Sequence, residues 1–224
     1  MVYAGIDVGS LSTPSYVAWC EDDTITFDLY IPTRDHPLPT KPGVVLEAAA
    51  LDAPQGLPGS SRRRRLADQE AKTPTSVMPA TRAELKEWKL YGALVRAGVE
   101  IFWWAYQAHH LHVLGLPKAE GTTTVVCETY PRYVLQRLAP KEPIPSKRKQ
   151  PLQYIDLVWP LIQAQGYRSP SIGRPTVDQV DAALCAVAAR ECLHTNATPA
   201  GMVGAPPVVD EGEQVLREGY IVAP

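Results

Sequence analysis

The sequence has no Cys-x-x-Cys pair; its four cysteines, Cys20, Cys127, Cys185 and Cys192, lie scattered in apolar surroundings. That excludes a zinc knuckle or a small disulfide scaffold and leaves reduced, buried thiols as the expectation. Nothing approaches eighteen unbroken apolar residues, so no membrane-spanning helix and no membrane partner are expected. No basic stretch followed by a hydrophobic one opens the chain. A cytoplasmic location is therefore expected, and the sequon Asn196-Ala197-Thr198 is chemically idle. Neither sign of charge is in large excess: the net charge is −2 and the pI about 6.2. Any hold on nucleic acid must then come from a local patch rather than bulk attraction. A Walker-type glycine-rich loop, a Gly-x-Ser-x-Gly elbow and an internal repeat are all missing.

What the sequence does hold is ample core material. Apolar residues make up 45% and charged residues 21% of 224 positions, the proportions of a globular protein. The length suits one domain over residues 1–224. The 22 prolines exceed the average share and predict long or stiffened loops.

The opening run Met1-Val-Tyr-Ala-Gly-Ile-Asp7-Val-Gly9-Ser10 reads as a buried strand breaking at a glycine. With side chains alternating, Tyr3, Gly5 and Asp7 share one face and Ala4, Ile6 and Val8 the other. Asp7 comes near the carboxyl end, where Gly9 and Ser10 can bring backbone amides to a ligand. Ser15 to Cys20 and Thr24 to Ile31 follow as β-rich runs around the turn Glu21-Asp22-Asp23, predicting a three-stranded meander. After a proline-rich connector at Thr33 to Pro42, Val44 to Leu51 predicts a fourth, buried strand. Residues 53–80 form an irregular insertion, and loops of that length are usually functional. Thr81 to about Leu114 has a helical pattern that opens on a Thr81/Glu84 capping box and splits near Gly92 or Gly98. Thr122 to Glu128 is the next strand, with a short helix from Tyr130-Pro131 to Leu138. Lys147 begins a helix to about Gln165 that Pro160 should kink or divide. Thr176 to about His194 is a helix with a Thr176/Gln179 capping box, and residues 198–224 form a C-terminal arm containing a strand or packed segment.

Carboxylates sit at the joints of this α/β pattern. Asp7 closes the first strand, Asp52 the fourth and Glu128 the fifth, while Asp178 and Asp181 share one face at the start of the last helix. If these ends converge, hard oxygen ligands surround a point suited to Mg²⁺ or Mn²⁺. Each acid also has a plain structural reading. Asp178 and Asp181 suit a helix start through the macrodipole, Asp52 can begin an Asx turn, and Glu128 can pair with Arg132. Their joint occurrence favours chemistry. Arg62 to Arg65 and Lys147-Arg148-Lys149 are the dense cationic stretches; Arg62, Arg65, Lys147 and Lys149 are the candidates for gripping phosphates, with a solvated basic loop as the alternative. His109 and His112 would face together on a helix, but a metal role there is disfavoured.

Six stretches together carry a resemblance: Gly5-Ile6-Asp7-Val8-Gly9, Leu51 to Pro58, Arg65…Asp68-x-Glu70, Cys127 to Pro131, Val177 to Leu184 and Glu218-Gly219-Tyr220-Ile221. In order and over nearly the whole chain they resemble a bacterial and archaeal family, domain of unknown function 429, whose members are taken to be nucleases of the ribonuclease H-like fold. The resemblance implies a mixed five-stranded sheet flanked by helices, in the order β-β-β-α-β-α-β-α; this sequence departs from it in the proline-rich segment that replaces much of the first helix and in the irregular insertion after the fourth strand. It also implies acids on the first and fourth strands and a late helix. Asp7, Asp52, Asp178 and Asp181 match that arrangement, closest to the RuvC type of junction resolvase, while Glu128 is an additional acid.

The expected function is therefore a metal-dependent nuclease. Asp7, Asp52, Asp178 and Asp181 hold Mg²⁺ or Mn²⁺, Glu128 assists as a catalytic group, and DNA or RNA is the partner, a homodimer being admitted. Two alternatives stand beside it. One is a non-catalytic nucleic-acid-binding or scaffold module on the same fold. The other is a phosphotransfer protein of the actin and sugar-kinase superfamily, prompted by Gly-Ile-Asp-Val-Gly-Ser.

Overall fold

The computed structural model of the chain describes residues 1–59, 62–75, 77–169, 173–194 and 201–224, the last helix without side chains from 191 to 194. The Cys192 thiol, the Asn196 sequon and the beginning of the predicted arm at Thr198 lie outside the described residues. Three strands, β1 (Val2–Asp7), β2 (Ser15–Glu21) and β3 (Thr24–Tyr30), form the predicted meander. Asp22, at φ 53°, makes the left-handed turn between β2 and β3, a conformation that Asp tolerates better than most residues. The next strand, β4 (Leu46–Leu51), lies parallel to β1 with Ile6 opposite Leu51.

The insertion is more ordered than its composition suggests, holding the short helix α1 (Leu66–Glu70). The long helical pattern resolves into α2 (Arg82–Glu87) and α3 (Gly92–Gln107). Thr81 caps α2 by accepting from the Glu84 amide at 3.1 Å, but the Glu84 carboxylate takes the Ala80 amide, so the predicted box closes one residue early. Gly98 does not break α3. A Cβ there would lie 2.6 Å from the Pro54 carbonyl oxygen, so the glycine serves the close approach of helix to loop. The chain then leaves the helix before the predicted Leu114: residues 111–113 form β5 (Leu111–Val113), and His112 stands in a strand, its Nε2 2.9 Å from the Leu116 carbonyl.

Past β5 come β6 (Thr124–Thr129), α4 (Pro131–Leu138), α5 (Pro151–Ala164) and α6 (Val177–His194). The fifth helix begins at Pro151 rather than Lys147, with proline at its tolerated first position, and continues through Pro160. For α6 the capping box is reciprocal: the Gln179 amide donates to Thr176 Oγ1 at 3.2 Å, and the Thr176 amide to Gln179 Oε1 at 2.8 Å. The arm is a hairpin, β7 (Val203–Asp210) and β8 (Val215–Val222), that joins the sheet through parallel pairing of β8 with β6.

The sheet is mixed and among the described residues has eight strands in place of the five implied by the resemblance. Its order is β3-β2-β1-β4-β6-β8-β7, with β5 also pairing β6. The extra strands are β5, β7 and β8. The two sides of the sheet follow strand alternation. Tyr3, Ala18, Ala48, Ala50 and Cys127 pack with α5 and α6. Ala4, Ile6, Ala49, Leu51 and Val126 pack with α3. Small residues let α6 lie directly on β1: a Cβ at Gly5 would sit 2.0 Å from the Ala182 oxygen and from the Ala186 nitrogen. Among the described residues no helix is long and apolar enough to cross a membrane.

Candidate functional site

Parallel pairing places Asp7 beside Asp52. The Asp52 amide donates to the Ile6 carbonyl at 2.9 Å, one step beyond the Ile6–Leu51 register, so the two acids end adjacent strands together. Asp7 follows Gly5 on the α6 side by period two, and Asp52 follows Ala50 onto that same side. Because α6 crosses β1 at Gly5, its first turns reach this end of the sheet, bringing buried Asp181 and exposed Asp178 toward Asp7.

The electrostatics register this convergence. Burial, then the charges of Asp52 and Asp181, push the Asp7 carboxyl well above its usual pKa, with Lys147 opposing. Asp52 is pushed up to about 7, first by burial; Lys147 works against the rise, and Asp181 and Glu128 add to it. Asp181 is also raised by burial, though Lys147 and a hydrogen bond from Tyr154 restrain it. Carboxyls that resist ionisation are what like charges gathered in a poorly hydrated place produce.

A cation already stands among them. Lys147, on the connection between α4 and α5, forms an ion pair with Asp181 Oδ2. The Tyr154 hydroxyl of α5 donates to the other oxygen, Oδ1, at 2.6 Å. Burial alone would lower the Lys147 pKa, yet Asp181 and Asp52 more than reverse that and raise it. Tyr154 is raised by its burial and by Asp181. Among the described residues no set of three or more His, Cys, Asp or Glu side chains is arranged to hold a metal ion. The donor chemistry, oxygen ligands from Asp7, Asp52 and Asp181 with Asp178 nearby, fits Mg²⁺ or Mn²⁺ in type and charge.

Glu128 belongs to a different network. Its neighbour Cys127 faces α6, so Glu128 faces the insertion. There the fully buried Arg65 grips it, Nη1 to Oε2 at 2.6 Å and Nη2 to Oε1 at 2.7 Å, and the Gln55 amide donates to Oε2 at 2.6 Å. Arg65 also holds Asp68 through Nε at 2.8 Å and Nη2 at 3.1 Å. The hydroxyls of Thr73 and Thr75 donate to Asp68 Oδ1. Burial raises the Asp68 pKa and Arg65 reverses this, leaving it lowered. One sequence expectation is corrected here: the partner of Glu128 is Arg65 rather than Arg132. Arg65 in turn cannot reach a substrate phosphate, since its side chain is 0% exposed.

The remaining candidates separate. Arg62 and Lys149 are exposed, whereas Lys147 serves the carboxylates. The loop after β1 uses its own amides: Gly9 donates to Ser15 Oγ at 3.1 Å and Ser10 to the Thr13 carbonyl at 3.5 Å. This corrects the expectation that they would face a ligand. Sequence reasoning missed Tyr154 and the role of Lys147, and no periodicity marks either as a partner of Asp181. Beside Asp52 and Lys147 a cavity of about 410 Å³ opens, lined also by Tyr91, Leu94, Tyr130, Arg132 and Arg148.

Searches of curated proteins and of solved structures return no match. Residues 5–202 match the family described as "Protein of unknown function (DUF429)" and contain all four aspartates of the cluster, so the chain belongs to that family.

Proposed function

We propose that the protein is a metal-dependent phosphodiesterase acting on nucleic acid, with a ribonuclease H-like core formed by β3-β2-β1-β4-β6. The observation that carries this reading is the meeting of Asp7, Asp52 and Asp181 from two parallel strand ends and a helix, with all three carboxyl pKa values raised first by burial, Asp7 further by Asp52 and Asp181, and Asp52 further by Asp181. A purely structural set of acids would be expected to be matched by fixed cations; here one ammonium faces three carboxylates. Asp7 and Asp52 would hold Mg²⁺ or Mn²⁺ from the sheet, and Asp178 and Asp181 from α6. When bound, a divalent pair supplies an activated water and stabilisation of the leaving oxygen. Tyr154 keeps Asp181 oriented, and α6 fixes the spacing of the two sides by packing on Gly5. Arg65 acts one layer back, tying the insertion to β6 through Glu128 so that the cavity wall beside Asp52 is rigid. The test is cleavage of DNA and RNA by purified protein with Mg²⁺ or Mn²⁺. Cutting that disappears in Asp7→Asn with the fold kept supports the reading, and cutting indifferent to that change removes it.

A second reading, a non-catalytic nucleic-acid-binding module, is favoured by one observation: Lys147 forms an ion pair with Asp181. On that reading, binding is salt-sensitive and ignores both divalent ions and Asp7→Asn.

A further inference from the structure

The cavity beside Asp52 has two kinds of wall. One is aromatic and aliphatic, made by Tyr91 and Tyr130 with Leu94 and Pro54. The other is cationic: Lys147, Arg132 and Arg148 stand on its rim, the two arginines exposed and free to turn toward a ligand. Burial raises the Tyr130 pKa, Asp52 adds to the rise and Lys147 and Arg132 oppose it, so Tyr130, the cations and the end of the carboxylate cluster share one small space. Tyr91 holds φ 52° and ψ 25°, a left-handed backbone at the head of α3 that a bulky aromatic residue rarely adopts. Its ring is half exposed at the cavity wall. Such outliers persist where the surroundings impose them, and they cluster at ligand sites. The back wall is closed chemistry: Arg65, Asp68 and Glu128 satisfy one another and offer little to a ligand beyond shape.

We propose that this cavity is a one-nucleotide pocket. It takes a single unpaired nucleotide, the base against Tyr91 and Tyr130 and the phosphate toward Arg132 and Arg148, with the adjoining phosphodiester presented to Asp52. The inference rests on the phosphodiesterase reading only for that last placement. About 410 Å³ lies in the range of roughly 300–1,000 Å³ for pockets that enclose a small ligand, and a base still stacked in a duplex cannot enter it. Stacking on aromatic rings tolerates any base, so the pocket selects for strand state rather than sequence. A free nucleotide and an unpaired strand present the same chemistry.

The experiment is fluorescence anisotropy in EDTA, which prevents turnover, with labelled octathymidylate, a labelled blunt duplex, an octamer of abasic sites and unlabelled thymidine 5′-monophosphate as competitor. The wild-type protein should bind octathymidylate about tenfold more tightly than the abasic octamer and the duplex. Tyr91→Ala and Tyr130→Ala should each weaken binding about tenfold while Tyr91→Phe and Tyr130→Phe restore it, the melting temperature of each variant being measured alongside. Competition by the mononucleotide assigns the pocket to free nucleotides, and its failure to compete assigns it to unpaired strands. Equal binding of the abasic and base-bearing octamers by the wild-type protein overturns the proposal even if the alanine variants do not fold. So does equal binding by well-folded alanine variants. Pocket binding without any metal-dependent cleavage would sink the phosphodiesterase reading and leave the pocket. Cleavage that depends on Asp7, with no base-dependent binding, would do the reverse.

Discussion

Lys147 pairs with Asp181 on the side of the carboxylate not taken by Tyr154, so both oxygens of the most buried acid in the cluster are engaged. The lysine comes from a connection between helices, the aspartate from a helix packed on the sheet. A partner on an irregular connection can move at lower cost than one on a packed element. Lys147 thus stands as a resident cation that a divalent ion would have to displace.

Replacing that ammonium is informative in two directions. Lys147→Met should lower the melting temperature of the metal-free protein, because Asp181, Asp52 and Asp7 lose their shared counter-charge. It should also tighten Mn²⁺ binding by about tenfold, one displaced charge being worth on the order of 1.4 kcal/mol. Calorimetric titration and a thermal melt read both. A destabilised variant with unchanged Mn²⁺ affinity would make Lys147 a purely structural partner.

Arg65 anchors two acids at once in a buried place. Arg65→Met should destabilise the fold by about 3–5 kcal/mol, since Glu128 and Asp68 are left buried without a counter-ion. Arg65→Lys should recover only part of this, because an ammonium cannot serve two carboxylates in a planar fork. Urea denaturation of the three proteins checks the order; a lysine variant as stable as the wild type would contradict it.

Gly5→Ala should cost about 2–3 kcal/mol and damage the site together with the fold, as its Cβ meets backbone rather than a side chain that can swing away. The helix that must shift is the one carrying Asp178 and Asp181. Both melting temperature and Mn²⁺ affinity should therefore fall. A variant that melts like the wild type would mean that the contact of α6 with β1 is looser than the structure shows.

Stability should depend on pH in a way that reveals the cluster. Asp52 has a folded pKa of about 7, above the ordinary carboxylate value near 3.9. The folded state therefore binds the proton more tightly, and this contribution is complete below about pH 3.9 and lost as the pH rises through 7. Asp7 acts in the same sense. Asp68, whose pKa is lowered, acts in the opposite sense and only in acid. Metal-free protein should thus melt at a higher temperature near pH 5 than near pH 8, and Asp52→Asn should flatten that slope. A slope equally steep in Asp52→Asn would place its origin elsewhere.

Much of the scaffold was readable because local signals and burial agree. The meander, β4, β6 and α6 all carry patterns their surroundings reward, and the Thr176–Gln179 box forms as spaced. One departure from the expectation comes from pairing at long range. Leu111 to Val113 continue a helical pattern, yet their pairing with Thr124 to Val126 draws them into the sheet. Val215 to Val222 become a strand because β6 offers a free edge at Glu128 and Thr129. At the site, strand ends and helix starts announce the acids, but not what faces them. Arg65 sits in a run of four arginines that looks uniform, and only the fold distinguishes the buried one from exposed Arg62. Glu128 reads as an assisting catalytic acid because it ends a strand; alternation turns it toward the insertion, a distinction of one residue.

The most direct test of the carboxylate cluster is equilibrium binding of Mn²⁺ near pH 7.5, followed by electron paramagnetic resonance of the free ion, for the wild-type protein and Asp7→Asn. Saturable binding by the wild type that weakens at least about tenfold in a folded Asp7→Asn is the result expected from ligands that converge on one ion. Undiminished binding in Asp7→Asn, or none in the wild type and none in Lys147→Met, would contradict the proposal that these aspartates form a metal centre.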